Sequence, residues 1–85
     1  MLMKLDILYF AWVRERVGQS QETVETEAVT VMDLVADLTL RGAGYALAFV
    51  DTGAICVAVD QELSDFNTLL KDGCEVAFFP PMTGG

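Results

Sequence analysis

The chain has 85 residues, of which 53% are hydrophobic and 21% charged, and it contains no histidine. This length allows one small domain and excludes a two-domain enzyme. Its 13 acidic and 5 basic residues give a net charge of −8, which argues against binding to nucleic acids or anionic membranes and favours a basic protein partner.

The N-terminal segment carries no targeting pattern. Polar residues interrupt it early, and the longest apolar run, from Ile7 to Val13, is far too short to span a bilayer. We therefore expect a soluble, cytoplasmic protein. Cys56 and Cys74 belong to no CxxC pair, which argues against a zinc site and a disulfide scaffold. Both are expected to be reduced and packed as small hydrophobic residues.

The first third of the chain predicts two strands joined by a short helix. Residues 4–10 alternate between two faces, as a strand with one buried face does. Residues 11–17 have helical spacing and stop at Gly18, a typical C-cap. Residues 23–30 alternate again and predict a second strand, paired with the first. The inward positions of the first strand are Leu5, Ile7 and Tyr9.

A longer helix is predicted to follow. Thr30 can cap its N-terminus, with Asp33 completing a shortened capping box. Arg41 and Gly42 are expected to end it. Its apolar stripe comprises Val31, Leu34, Val35 and Leu38.

The second half of the chain predicts two more strands. Residues 45–50 form a short helix or a loop, and residues 51–53 a turn. A third strand is expected over residues 54–59 and a last one over residues 75–79, after an Asp-Gly turn. The fold class is α+β, a roll in which a curled mixed sheet wraps one main helix.

Strand periodicity also predicts an open sheet face that is charged at one end and apolar at the other. A contiguous exposed apolar patch usually marks a contact site. The alternative is that a loop near Leu63 or Phe66 covers the patch. The outward positions are Lys4, Asp6, Leu8 and Phe10, then Cys56, Ala58 and Asp60, then Glu75, Ala77 and Phe79.

The sequence contains few side chains that could form a catalytic site. Without histidine the commonest general base is absent, and Ser20 and Ser64 lack triad partners. Residues 42–44 do not have the spacing of a phosphate-binding loop. The carboxylates of the second half are spread over turns, as on a solvated surface. The sequence therefore indicates no internal active site.

The C-terminus is the most informative segment. Pro80 and Pro81 cannot continue strand pairing and favour an extended path, and the sequence finishes in Gly84 and Gly85. Six residues reach at most about 20 Å. We therefore predict a domain over residues 1–79 and a thin tail over residues 80–85 that presents a carboxylate to another enzyme.

Three segments make the chain resemble the small, ubiquitin-like sulfur-carrier subunits of molybdopterin synthase. The most specific of them is the C-terminal segment, because an aromatic residue and two prolines precede its Gly-Gly. Asp60 and Cys74 depart mildly from the family pattern. The resemblance implies a β-grasp fold. The segments are Tyr9-Phe10-Ala11 with Val13-Arg14-Glu15, then Val57-Ala58-Val59-Asp60-Gln61 with Leu63, and Asp72 to Gly85.

The resemblance also implies a function, in which the chain binds no cofactor of its own. An adenylating enzyme would use ATP to activate Gly85, and a persulfide donor would convert it to a thiocarboxylate. Within a heterotetrameric synthase, the large subunit would then bind the tail, and sulfur would pass to precursor Z, the cyclic pyranopterin monophosphate, to form the molybdopterin dithiolene. The implied tail residues are Pro80, Pro81, Met82, Thr83, Gly84 and Gly85, and our candidates for the docking patch are Phe10, Leu63 and Phe79.

Other functions stay open at this point. A sulfur carrier of the thiamine-biosynthesis or ubiquitin-related modifier type would use the same tail chemistry. A noncovalent binding module, with a frayed Gly-Gly end, belongs to a different class. An autonomous enzyme is the third alternative, and the missing catalytic groups argue against it.

Overall fold

Across residues 2–81, which the computed structural model describes, a five-stranded mixed sheet packs against three short helices. None of these helices combines the length and the apolar character needed to cross a membrane. A 3₁₀ turn, Thr52–Ala54, precedes the third strand. The strands are β1 (Met3–Tyr9), β2 (Gln21–Thr26), β3 (Cys56–Val59), β4 (Glu62–Ser64) and β5 (Glu75–Phe79), and the helices are α1 (Ala11–Val17), α2 (Val31–Thr39) and α3 (Ala43–Ala48).

The first and last strands lie side by side within the sheet, whose order is β2-β1-β5-β3-β4. β1 pairs with β5 in parallel, with Ile7 opposite Val76. The pairs β1–β2, β3–β5 and β3–β4 are antiparallel. The predicted α+β roll of β-grasp type is confirmed.

The core lies between the sheet and α2. All three inward positions of β1 are fully buried, and so is the whole apolar stripe of α2. Because strand side chains alternate between faces, the other set of β1 residues is left on the face turned away from α2, which we call the outer face. The buried residues of β1 and α2 are Leu5, Ile7, Tyr9, Val31, Leu34, Val35 and Leu38.

The capping box of α2 is confirmed. Thr30 Oγ1 accepts a hydrogen bond from the Asp33 amide at 3.2 Å, and Asp33 Oδ2 accepts one from the Thr30 amide at 3.1 Å. The helix ends at Thr39, earlier than predicted. It ends there because the amides of Leu40 and Arg41 bond to carbonyls three residues back, which tightens the last turn.

The strand boundaries predicted from the sequence were partly wrong. β2 begins at Gln21 and ends at Thr26, because the Thr26 hydroxyl accepts the Ala28 amide at 3.1 Å and turns the chain out of the sheet. β3 begins only at Cys56, since the residues before it form the 3₁₀ turn. The sequence pattern also missed β4, whose three residues are too few to show alternation. Residues 45–50 fall largely in α3.

The turn between β3 and β4 is strained. Asp60 and Gln61 both have left-handed backbones, with φ of 51° and 69°. Two successive residues with positive φ are typical of the tight type I′ hairpin turn, which matches the twist of the strands and favours Asn-Gly. The position of β4 therefore depends on two residues that adopt this conformation at an energetic cost.

The helices α1 and α3 approach each other closely. The α1 helix ends at Gly18, which has a φ of 96°, as predicted for a glycine C-cap. A Cβ atom at Gly44 would lie 2.4 Å from the carbonyl oxygen of Arg16. Glycine is therefore required at the start of α3 for the two backbones to come this near.

Candidate functional site

A row of apolar side chains crosses the outer face of the sheet. Leu8 on β1 lies opposite Ala77 on β5, Ala77 lies opposite Ala58 on β3, and Ala58 lies opposite Leu63 on β4. This register confirms the parity predicted from the sequence. Leu63, 78% exposed, stands at the edge of the sheet, and Phe66 packs against the core, so neither residue covers the face as the alternative interpretation required.

Phe10 reaches the same face from the end of β1. Its amide donates to the Phe78 carbonyl at 3.1 Å, and its own carbonyl accepts the first amide bonds of α1, from Val13 and Arg14. The chain turns sharply at Ala11, where φ is +52°. Held at both ends by its backbone, Phe10 remains 45% exposed.

Phe10 and the end of β5 enclose an apolar groove of about 440 Å³. Ala77 lies on the outer face as part of the sheet, and Pro80 and Pro81 continue from Phe79 along one side of the groove. Every residue that lines it is nonpolar. The apolar groove is formed by Phe10, Ala11, Ala77, Phe79, Pro80 and Pro81.

The candidate docking residues do not all lie together. Phe10 and Phe79 line the apolar groove, whereas Leu63 lies two strands away from β5 and is not part of it. Ala77 and Ala11 complete the groove. The alternation of strand residues predicted that Ala77 faces outward. No local pattern predicted that Ala11 lines the groove, because its place there depends on its positive φ.

The tail residues divide between the described and the undescribed parts of the chain. Pro80 is half-buried and Pro81 is exposed. The other four predicted tail residues lie outside the described residues, so the division into a domain over residues 1–79 and a tail over residues 80–85 stays a prediction. These four are Met82, Thr83, Gly84 and Gly85.

Opposite the apolar groove, the outer face ends in an acidic row formed by Asp6, Glu75 and Asp60. Asp6 lies opposite Glu75 in the sheet, and Asp60 Oδ1 accepts the Glu75 amide at 3.0 Å. The Thr23 hydroxyl donates to Asp6 Oδ1 at 3.0 Å. These hydrogen bonds orient two of the three carboxylates, and the face changes from acidic to apolar along the strands.

Aromatic packing supports the groove from inside. The rings of Tyr9 and Phe78 stack with centroids 6.3 Å apart, and the ring of Phe49 meets Phe78 edge-on at 4.9 Å. Tyr9 and Phe78, the buried pair, immediately precede Phe10 and Phe79 in the chain, and the backbone of Phe10 is still extended. Because successive strand residues point to opposite faces, the buried pair fixes the backbone that presents the exposed pair.

The described residues offer no arrangement that suggests catalysis. Residues 2–81 contain no group of three potential metal-ligating side chains. Cys74 is buried, and this burial raises the pKa of its thiol, so it is a poor nucleophile. Cys56, half-buried, lies opposite Phe79. What the site offers is an apolar surface next to the segment that leads to Gly84 and Gly85, and such a surface is suited to docking on another protein.

Comparison with known proteins decides the family. The model of the ThiS family matches residues 7–85. The chain belongs to the ThiS family. This ThiS family member is 43% identical over 81 residues to the molybdopterin synthase sulfur carrier subunit of Escherichia coli, and the alignment covers 95% of this chain and 99% of the relative. The corresponding subunit of Mycobacterium tuberculosis is 35% identical over 86 residues, covering 99% of this chain and 100% of the relative.

Solved structures agree with this assignment. A Haloferax volcanii protein studied in solution superposes with a TM-score of 0.79 at 29% identity, covering 99% of this chain and 88% of that one. A chain from the complex of subunits 1 and 2 of the molybdopterin-converting factor of Helicobacter pylori superposes with a TM-score of 0.64 at 26% identity, covering 98% of this ThiS family member and 100% of that chain.

Proposed function

We propose that this chain is the sulfur carrier subunit of a molybdopterin synthase. The observation that carries the proposal is the 43% identity to a sulfur carrier subunit over 95% of the chain. Two features of residues 2–81 support it. The described residues offer no catalytic arrangement of their own, and their apolar groove includes Pro80 and Pro81, the first two residues of the predicted tail.

The chemistry begins at the carboxylate of Gly85. A bare carboxylate is a poor electrophile, so an adenylating enzyme uses ATP to form the acyl-adenylate and releases pyrophosphate. The terminal sulfur of a persulfide displaces AMP, and a thiol then cleaves the sulfur–sulfur bond to leave a thiocarboxylate. ATP belongs to the activating enzyme, and this chain supplies only the carboxylate.

Sulfur donation then takes place in the large subunit of the synthase. The ionised thiocarboxylate sulfur forms a bond to a carbon of the precursor pterin, precursor Z, and water then cleaves the acyl–sulfur bond, which leaves the sulfur on the pterin and returns Gly85 to a carboxylate. Two such transfers build the dithiolene of molybdopterin. Gly84 and Gly85 suit this role because neither has a Cβ that would crowd the narrow channel around the carbonyl.

The folded part of the chain positions the tail. Phe10 and Phe79 in the apolar groove, and Leu63 at the sheet edge, dock on the partner. Pro80 and Pro81 have no amide proton, so the chain beyond Phe79 cannot continue as a hydrogen-bonded strand. The acidic row attracts basic residues on partner proteins and mainly speeds encounter.

The test is the chemical state of Gly85 in protein made together with an adenylating enzyme and a persulfide donor. The C-terminal peptide is expected to gain about 16 Da by exchange of oxygen for sulfur, and the shift must be localised to that peptide because a single oxidation has the same nominal mass. Molybdopterin is then formed on addition of the large subunit and precursor Z.

Two variants serve as controls. Deleting Gly85, or adding one residue after it, should abolish both the loading and the product, because a displacement of about 1 Å at a reacting group can lower a rate on the order of a hundredfold. The melting temperature should stay within about a degree. Normal loading of either variant contradicts the proposal, and loading that supports thiamine synthesis instead of molybdopterin formation assigns the chain to the other carrier type.

A further inference from the structure

We propose that the apolar groove receives one uncharged apolar side chain of the large synthase subunit, and that the small side chain of Ala77 determines which residue fits. This inference rests on the proposed function, since it concerns the same docking event. It adds a specific anchor and a specificity-determining residue to the general docking surface.

The lining of the groove defines the chemistry of its occupant. Six nonpolar residues surround about 440 Å³ and offer no side-chain partner for a charge or an amide. A charged or amide side chain placed there would lose its hydration without gaining hydrogen bonds, which is strongly unfavourable. An aliphatic or aromatic side chain loses nothing and removes apolar surface from water. Central aromatic or aliphatic anchors of this kind dominate many protein interfaces.

Ala77 is the one small outward residue that lines the groove from the middle of the sheet. It lies between its register partners Leu8 and Ala58 and is only 8% exposed. Phe10 and Phe79 line the groove beside it. A larger residue at this position would project into the space that these rings leave open, so the size of the side chain at position 77 sets the depth of the groove.

The position of the groove identifies the partner. Pro81 lines the groove, and the four residues from 82 to 85 reach at most about 14 Å. A protein that encloses Gly85 therefore lies within about 14 Å of the groove, and this proximity is why we assign the occupant to that protein. A second copy of this chain is disfavoured as an occupant because two chains with a net charge of −8 each repel one another.

The first experiment measures the affinity of the large subunit for full-length variants by calorimetry. Ala77→Leu fills the groove, and we expect its Kd to rise at least tenfold. Ala58→Leu adds the same atoms one strand away, outside the groove but within the apolar row that leads to Leu63, and we expect a smaller rise in Kd than for Ala77→Leu. Ala36→Leu, on the exposed side of α2, is the matched control away from this face and should leave Kd unchanged.

Two results overturn the anchor. An unchanged Kd for Ala77→Leu excludes it, and equal losses for Ala77→Leu and Ala58→Leu indicate a broad contact without an anchor. Loading of sulfur on Gly85 is measured in the same preparations. Normal loading of the wild-type chain with an unchanged Kd for Ala77→Leu overturns only this inference, whereas failure of wild-type loading overturns the proposed function.

A second measurement needs no variant. In the complex of the wild-type chain with the large subunit, the Ala77 methyl group should give intermolecular nuclear Overhauser effects to one aliphatic or aromatic side chain. Contacts only to a lysine, arginine or carboxylate side chain, or no intermolecular contact at this methyl group, would overturn the inference even if Ala77→Leu fails to fold.

Discussion

The hydroxyl of Tyr9 donates a hydrogen bond of 2.7 Å to Oε2 of Glu22, the same carboxylate oxygen that accepts the hydroxyl of Tyr45 at 2.8 Å. Gln19 Nε2 in turn donates to the Tyr45 hydroxyl at 2.8 Å. One oxygen atom thus links β1, β2 and α3. Since Tyr9 also stacks on Phe78, this network supports the strand ends beneath the apolar groove.

Replacing Tyr9 by phenylalanine should destabilise the domain by about 1–2 kcal/mol, because Glu22 loses one of two donors while Tyr45 remains. Burial raises the pKa of Tyr9 well above its usual range, so the folded state holds the phenolic proton more tightly than the unfolded state. Stability should therefore fall as the pH rises above about 10. Urea unfolding at pH 8 and pH 10.5 measures both effects.

The matched variant is Tyr45→Phe, which removes the more exposed donor. We expect a smaller loss at pH 8 and a retained alkaline slope. If the fall in stability at alkaline pH persists in Tyr9→Phe and disappears in Tyr45→Phe, the Tyr45 hydroxyl causes it and the assignment to Tyr9 is wrong.

Asp33→Asn tests the capping box of α2. Hydrogen bonds from the Thr30 and Val29 amides lower the pKa of Asp33, so its stabilising contribution is present above the unfolded pKa of about 4 and is lost as the pH falls through the lower folded value. The variant should be less stable at pH 7 and lose less stability on acidification. Thermal unfolding between pH 7 and pH 3 measures this, with Glu15→Gln on α1 as the control. A steeper acid dependence in the variant would contradict the assignment.

Gln61→Gly should stabilise the domain by about 0.5–1 kcal/mol, because glycine adopts a φ near +69° without steric cost. The same change at Gln21 in β2, where no positive φ is needed, should destabilise it instead. Denaturation midpoints of the two variants therefore move in opposite directions. A loss of stability in Gln61→Gly would show that the turn is not strained.

Gly44→Ala should destabilise the domain by about 1–3 kcal/mol, because the added Cβ meets the Arg16 carbonyl oxygen and α3 must move away from α1. At Gly42 the nearest atom to an added Cβ is 3.9 Å away, so Gly42→Ala is a matched control that should be tolerated. Similar melting temperatures for the two variants would exclude the close approach as a constraint.

Phe10→Ala should weaken binding of the large subunit by about 2 kcal/mol, or roughly thirtyfold, while the chain remains folded. Leu40→Ala is the control, since Leu40 is an exposed residue at the end of α2, which packs on the other face of the sheet. Calorimetry with both variants decides whether docking involves the outer face. A loss confined to Leu40→Ala would move the interface to the helices.

The elements that could be predicted from the sequence are those with a local signal. Thr30 and Asp33 predicted the start of α2, and its apolar stripe of four residues predicted its buried side. Both features can be read from the sequence of one helix. β4 could not be predicted, since three residues carry no period and its position depends on the turn at Asp60 and Gln61. Because β4 was not predicted, the sequence also did not show that Leu63 lies away from the apolar groove.

The groove itself was partly predictable. Strand parity placed Phe79 and Ala77 on one face of the sheet. The parallel pairing of β1 with β5 brings Phe10, which follows β1, beside them. The left-handed turn at Ala11 was not predictable, because alanine has no preference for that conformation. Local propensity argues against it, since a positive φ is uncommon for residues other than glycine.

The parallel pairing of β1 with β5 bears on biosynthesis. On the ribosome, β1 is synthesised first, but one of its two neighbours in the sheet is the last strand to emerge. A nascent chain that has not delivered residues 75–79 leaves edges of both β1 and β3 unpaired, and such edges promote aggregation. A chain terminated before residue 75 therefore cannot complete the sheet, and it also lacks Gly84 and Gly85, so it becomes a substrate for proteolysis and not a folded competitor for the partner proteins.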